Sequence, residues 1–177
     1  FAAGGNFSIL NKAGEPGTFI SFYDPIISSE GDVIFGDYEG VSLKVEAGGS
    51  ISGVNITITG PDTNITDSTD PDVEILSNSP ALILRSRVES LANPPNVEGI
   101  DTIVEGTSFE NTEEPTGRDI NVASINIPDA DGRVILESGG RAIAKEILTQ
   151  GSIDVTAAET IIIADNVSAG TGGVSMN

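Results

Sequence analysis

The chain has 177 residues, of which 8 are basic and 27 acidic, for a formal net charge of −19. A field of that sign repels nucleic acid and anionic membrane surfaces, and no apolar run is long enough to insert across a bilayer. The absence of Cys and His removes disulfides, thiolate sites, the commonest general base and the commonest transition-metal ligand.

The apolar residues are mostly Ile, Val and Leu, which favour strands. Aromatics are scarce and Trp is absent. A thin core of stacked aliphatic rows needs few rings, whereas a large irregular core uses more of them.

The chain opens with Phe1-Ala2-Ala3-Gly4-Gly5-Asn6. This stretch has no initiator Met and no basic-then-apolar signal pattern, which reads as a processed protein or a piece of a longer one. Residues 1–23 hold most of the rings and predict an N-terminal cap or assembly segment, since the end of a repeat array needs atypical sequence. Residues 24–88 are strand-rich. Val41, Leu43 and Val45 alternate with Ser42 and Lys44, and Val54, Ile56 and Ile58 alternate with Asn55, Thr57 and Thr59, the period of a half-buried strand. Gly60-Pro61 breaks the pattern and opens a polar loop with Asp62, Asp67, Asp70 and Asp72. Strand signals return at Val73-Glu74-Ile75-Leu76 and Ala81-Leu82-Ile83-Leu84. Residues 89–118, with Pro94-Pro95 and seven acidic residues, read as a polar insertion loop. Residues 119–177 return to strands. Within them Arg141 to Thr149 is read as a strand despite its helix formers, because Gly139-Gly140 and Gly151 bracket it.

A short module occurs twice in different wording. Val41 to Ala47 runs into Gly48-Gly49, and Arg133 to Ser138 runs into Gly139-Gly140. Leu136, Val155 and Val174 are spaced by 19, as are Ile143 and Ile162, Val54 and Val73, and Ile56 and Ile75. Such spacing predicts an all-β fold of the parallel β-helix (β-solenoid) type, with about 19–20 residues per coil, like residues stacked in inward ladders, and a polar insertion. Gly48, Gly49, Gly139 and Gly140 are then bends where a Cβ is poorly tolerated, and a bulky substitution at Gly139 costs stability if its φ is positive.

The run from Val33 to Ile51, followed by Ile56-Thr57-Ile58-Thr59-Gly60-Pro61-Asp62-Thr63, resembles the repeat region of filamentous-haemagglutinin-like large exoproteins common in filamentous cyanobacteria. Gly151 to Ala157 and Ile161 to Ala169 fit the same group, and the resemblance covers about two-thirds of the chain. It implies a right-handed parallel β-helix, export by two-partner secretion, and a secreted, extracellular or cell-surface structural role in adhesion or filament building. The implied partners are further copies of the chain, the rest of a longer parent, or an extracellular glycan or cell surface. No secretion domain is recognisable at the N-terminus.

The residues offer few chemical sites. Asp129-Ala130-Asp131-Gly132 resembles half of a Ca²⁺ loop, making Asp129 and Asp131 metal candidates, but the EF-hand pattern fails because Ile127 and Ser138 fall at its end positions. An Asx-rich corner is the preferred reading. The Asp62–Asp72 loop is likewise read as a solvated excursion rather than a Ca²⁺ cage. Glu137 with Asp154, or Asp32 with Glu46, are carboxylate pairs that a glycan-cleaving β-helix would use. Without an aromatic platform or a catalytic motif, a glycan-binding or glycan-cleaving protein is the alternative and a non-enzymatic structural segment the main expectation. No cofactor is required. Arg85 and Arg87, two apart, are expected on one strand face paired with acids.

Overall fold

The computed structural model describes residues 1–65, 69–92 and 117–177. In chain order the strands are β1 (Ala2–Ala3), β2 (Phe7–Ser8), β3 (Phe19–Ser21), β4 (Ile26–Ser29), β5 (Val33–Ile34), β6 (Tyr38–Val41), β7 (Leu43–Ala47) and β8 (Ile51–Gly60). A short helix, α1 (Val73–Asn78), precedes β9 (Ala81–Ser86), β10 (Ile120–Ile127), β11 (Arg133–Ser138), β12 (Arg141–Thr149), β13 (Ser152–Ala157), β14 (Thr160–Ser168) and β15 (Gly173–Met176).

The protein is mostly β, and its strands lie in two sheets. The first has the order β1-β4-β7-β9-β11-β13-β15; the second runs β14-β12-β10-β8-β5-β2, with β3 and β6 continuing beside the second half of β8. All pairings between these strands are parallel. A parallel neighbour needs a crossover, and here the crossover is a strand of the other sheet. From β10 onward the chain alternates strictly between the two. Paired residues are 18 apart at Ile26/Lys44, 19 at Arg133/Ser152 and 22 at Ile120/Ala142.

The core lies between the sheets and follows from period-2 alternation. On the first sheet Leu43, Leu82, Val134 and Ile153 form one row, and Ile27, Val45, Leu84, Leu136 and Val155 the next. On the second sheet Ile51, Ile120 and Ala142 face them, as do Ile56, Ile125 and Ile147. The aromatic residues split. Phe35 and Tyr38 are buried with Phe19 against them, at centroid distances of 5.6 and 4.7 Å. Gly53 makes room for this group, since a Cβ there would sit 2.8 Å from the Phe35 ring. Phe1, Phe22 and Tyr23 are exposed. Residues 1–23 contribute β1, β2 and β3, which pair directly with β4, β5 and β6.

Three expectations are corrected. Leu136 and Val155 are partners, as the 19-residue spacing predicts, but Val174 pairs with Ile153 and Met176 takes the place beside Val155. The turn before β15 is two residues longer, so Ser152 pairs with Gly173, 21 positions on. The second correction is Val73-Glu74-Ile75-Leu76, which forms α1 rather than a strand. Beside β8 the place is taken by β10, with Ile51 opposite Ile120 and Ile56 opposite Ile125, and a short apolar run has no period that separates helix from strand. The helix ends at Ser79, extended as a residue before proline must be. Third, Arg85 and Arg87 do not share a strand face: β9 stops at Ser86 and Arg87 turns the corner with φ 58°. Of the insertion expected at 89–118, only residues 89–92 and 117–118 are among those described. Arg141–Thr149 is strand β12, as read.

The four corner glycines stand at the turns β7–β8 and β11–β12, with backbone bonds to adjacent layers. Gly48 N–H donates to Ser29 O (2.8 Å), Gly49 N–H to Gly31 O (3.0 Å), and Gly140 O accepts from Glu159 N–H (3.0 Å). Gly139 N–H donates to the Ser86 hydroxyl at 3.3 Å. Their cause is close approach and not a left-handed backbone: among the described glycines only Gly14 and Gly173 have positive φ. A Cβ on Gly48 would strike the Glu30 carbonyl, on Gly139 the Arg87 side chain, and on Gly140 the Asp119 carboxylate.

Candidate functional site

The outer face of the first sheet carries the row Ile26, Lys44, Ile83 and Ile135. Alternation would leave such a row in water. Instead the described parts of the excursion from Pro61 to Pro80, residues 61–65 and 69–80, cover it. Leu76 of α1 packs with Ile26, Ala81 and Ile83, joined by Ile65, Ile75 and Ile135, as a second hydrophobic cluster. Ser42 ties down the far end: its hydroxyl donates to Ser79 O (2.9 Å) and accepts from Ala81 N–H (3.0 Å). Asp62 ties the near end, accepting from Asp24 N–H (2.7 Å) and Asn64 N–H (3.0 Å).

Covering the row buries Lys44, which must then be paired. Its Nζ donates to both oxygens of Asp70 at 2.9 Å and lies 2.8 Å from Asp72 Oδ2 and 3.2 Å from Glu46 Oε1. Arg85, opposite Glu46 on the neighbouring strand, grips Asp72 with both terminal nitrogens and donates to Glu137 at 2.6 Å. Glu46 also accepts from Ala92 N–H at 2.8 Å. Two cations thus hold four carboxylates drawn from two strands and the excursion. Burial works against the charge on Lys44, but its bonds to Asp72 and Asp70 and the charge of Glu46 outweigh it and hold its pKa above the usual lysine value. Burial likewise works against ionisation of Asp72, and the bonds from Arg85 and Lys44 reverse it, holding that carboxyl below the usual 3.8.

This cluster overturns the reading of the Asp62–Asp72 loop as a solvated excursion. Asp62, Asp70 and Asp72 are all buried, and Asp70 and Asp72 bind side-chain cations; Asp67 lies outside the described residues. Lys44 was not singled out by its pattern, which marks it only as an outward polar position. The available signal was the mixture in residues 61–80 of carboxylates with Ile65, Ile75 and Leu76, a composition unlike a purely solvated loop.

The other candidates are dispersed. Asp129 and Asp131 are exposed in the β10–β11 turn, where Asp129 O accepts from Gly132 N–H at 3.2 Å and Asp129 Oδ1 from Ala130 N–H at 3.1 Å. Among the described residues no three Asp or Glu side chains are grouped to hold a metal. Glu137 stands opposite Thr156 and Asp154 opposite Ile135, so these two carboxylates are diagonal neighbours. Asp32 accepts from Ser50 N–H (2.6 Å) at a corner, away from the Glu46 cluster. Asp119 is held below the usual carboxylate pKa by the backbone and side-chain bonds from Arg141.

No family model matches the chain, and no curated protein and no solved structure is significantly similar to it. No helix among the described residues is long and apolar enough to cross a membrane.

Proposed function

We propose that the chain is a structural segment of an exported bacterial surface or filament protein, built as a right-handed parallel β-helix and working by adhesion or extracellular assembly. The observation that carries this reading is the stacking of parallel strands in two sheets, most neighbours being about 18 to 22 positions apart, which leaves a strand edge at each end. Edges of that kind template further strands. At one edge Phe1, Ile20, Phe22 and Tyr23 are exposed; at the other, Ile162, Val174 and Met176. Both edges have the same strand polarity, so a second copy placed head-to-tail continues both sheets without reversal. The resemblance to filamentous-haemagglutinin-like exoproteins supports the same reading from the sequence side.

The chemistry of the described sites favours a scaffold. Lys44 and Arg85 bind the carboxylates of Asp70, Asp72 and Glu46 on the outer face of the first sheet, and Asp32 lies away from Glu46 at a corner. Negative-stain microscopy of the purified chain at rising concentration tests the proposal. Rods of uniform width that lengthen with concentration are expected. Particles of one size throughout, with the amides of β14 and β15 protected from hydrogen exchange, would overturn it.

A further inference from the structure

The Lys44 cluster contains more than an ion pair needs. The amine and the Asp70 carboxyl are both fully buried. Nζ is 2.9 Å from each Asp70 oxygen, within reach of the Cγ between them. Asp72 Oδ2 is 2.8 Å from Nζ, and the Arg85 guanidinium keeps that carboxylate ionised and in place. The backbone N–H of Asp72 donates to Asp70 Oδ1 at 2.8 Å. A nucleophile, an acyl carbon, a proton acceptor and an oxyanion donor are therefore held together in a dry site.

We propose that Lys44 and Asp70 become joined by an isopeptide bond, formed autocatalytically after folding with Asp72 as the proton carrier. The ammonium gives a proton to Asp72, which passes it to Asp70 Oδ2, and the neutral amine adds to Cγ of the neutral Asp70 carboxyl. Oδ1 takes the developing negative charge against the Asp72 N–H. The Nζ–Cγ bond forms and the Cγ–Oδ2 bond breaks. Two of the three ammonium protons leave with Oδ2 as water, the third stays on the amide nitrogen, and Asp72 returns to its ionised form. No oxidant, metal or activated donor enters the balance.

The resting state is the ion pair, and the reactive state is the neutral amine beside a neutral acid. Burial narrows the gap between them, because it penalises both charges. One event per chain suffices, so a slow reaction completes it. Exclusion of water then protects the amide from hydrolysis. Asp70 is the acceptor because Nζ donates to both of its oxygens and its Oδ1 also takes the Asp72 N–H. The product would staple the excursion to β7 in a chain without cysteine.

Intact mass spectrometry of the full-length chain tests this, followed by peptide mapping. The expected mass is one water below the sequence mass, with no tryptic cleavage after Lys44 and a branched peptide carrying Lys44 and Asp70. Asp70→Asn should instead lose one ammonia. Lys44→Arg should keep its full mass, and Asp72→Ala should slow bond formation by about a hundredfold. Circular dichroism on each variant confirms that the β fold is retained. A folded wild-type chain that keeps its full sequence mass after prolonged incubation at neutral pH would overturn the proposal, as would a water loss that persists in Lys44→Arg.

Discussion

Lys44 meets Asp70 across 26 positions of sequence, and neither side chain is exposed to solvent. The contact helps to hold Asp70, Asp72 and the helix α1 that follows them against the sheet. A buried cation left without its partner, or the reverse, costs far more than a surface pair contributes. Lys44→Met should therefore destabilise the protein by about 3–5 kcal/mol in urea unfolding. Lys44→Met combined with Asp70→Leu and Asp72→Asn should recover part of that loss, because no uncompensated carboxylate remains at those two positions. Equal stability of the single variant and wild type would show that the cluster is open to water.

The same cluster sets a pH window. The Asp72 pKa is depressed, so its contribution is present above the unfolded value of 3.8 and is lost as pH falls through the lower folded value. In the ion-paired chain, before any Lys44–Asp70 bond forms, Lys44 is raised, so its contribution is complete below the unfolded value of 10.5 and is lost as pH rises through the higher folded value. Thermal melts should show a plateau between these limits. Asp72→Asn should flatten the acid limb relative to wild type; identical acid limbs would remove Asp72 from the account.

The register makes a second contrast. Leu136→Ala empties a buried row and should cost about 2–5 kcal/mol. Val174→Ala, on the exposed last strand, should change stability by less than about 0.5 kcal/mol. Similar losses at both positions would place Val174 in the interior.

At the corners the expected order follows from what a Cβ would strike. Gly48→Ala meets the rigid Glu30 carbonyl and should cost about 1–3 kcal/mol. Gly139→Ala meets the Arg87 side chain, which has some freedom to move, and should cost less. Chemical denaturation of the two variants checks the order, and a reversed order contradicts the packing.

Much of the β architecture was legible because its rule is local. Alternation in Val41–Ala47 and Arg133–Ser138 assigns the inward face, and the 19-residue spacing correctly pairs Leu136 with Val155 and Ile143 with Ile162. The rule failed where chain length between layers changed. Two added residues before β15 moved Val174 one pair along, and the long segment between β8 and β10 made the Val54/Val73 and Ile56/Ile75 spacings coincidental. The charge cluster was illegible for a different reason. Lys44 and Arg85 come from neighbouring strands and Asp70 and Asp72 from the excursion between them, and nothing in a single strand's pattern says that an outward lysine will be covered.

In the proposed assembly the edge strands join copies end to end. Asn177 turns its N–H to Val155 O at 2.9 Å, so the N–H of Met176, one residue before, points away from β13 toward the open edge. Met176→Pro removes that outward donor while sparing the bonds to β13. Sedimentation velocity of the wild-type chain and this variant over a concentration series is the most direct test. The account predicts growing rods for the wild type and a single small species for Met176→Pro. A wild-type chain that sediments as one monomer at every concentration, indistinguishable from the variant, would contradict it.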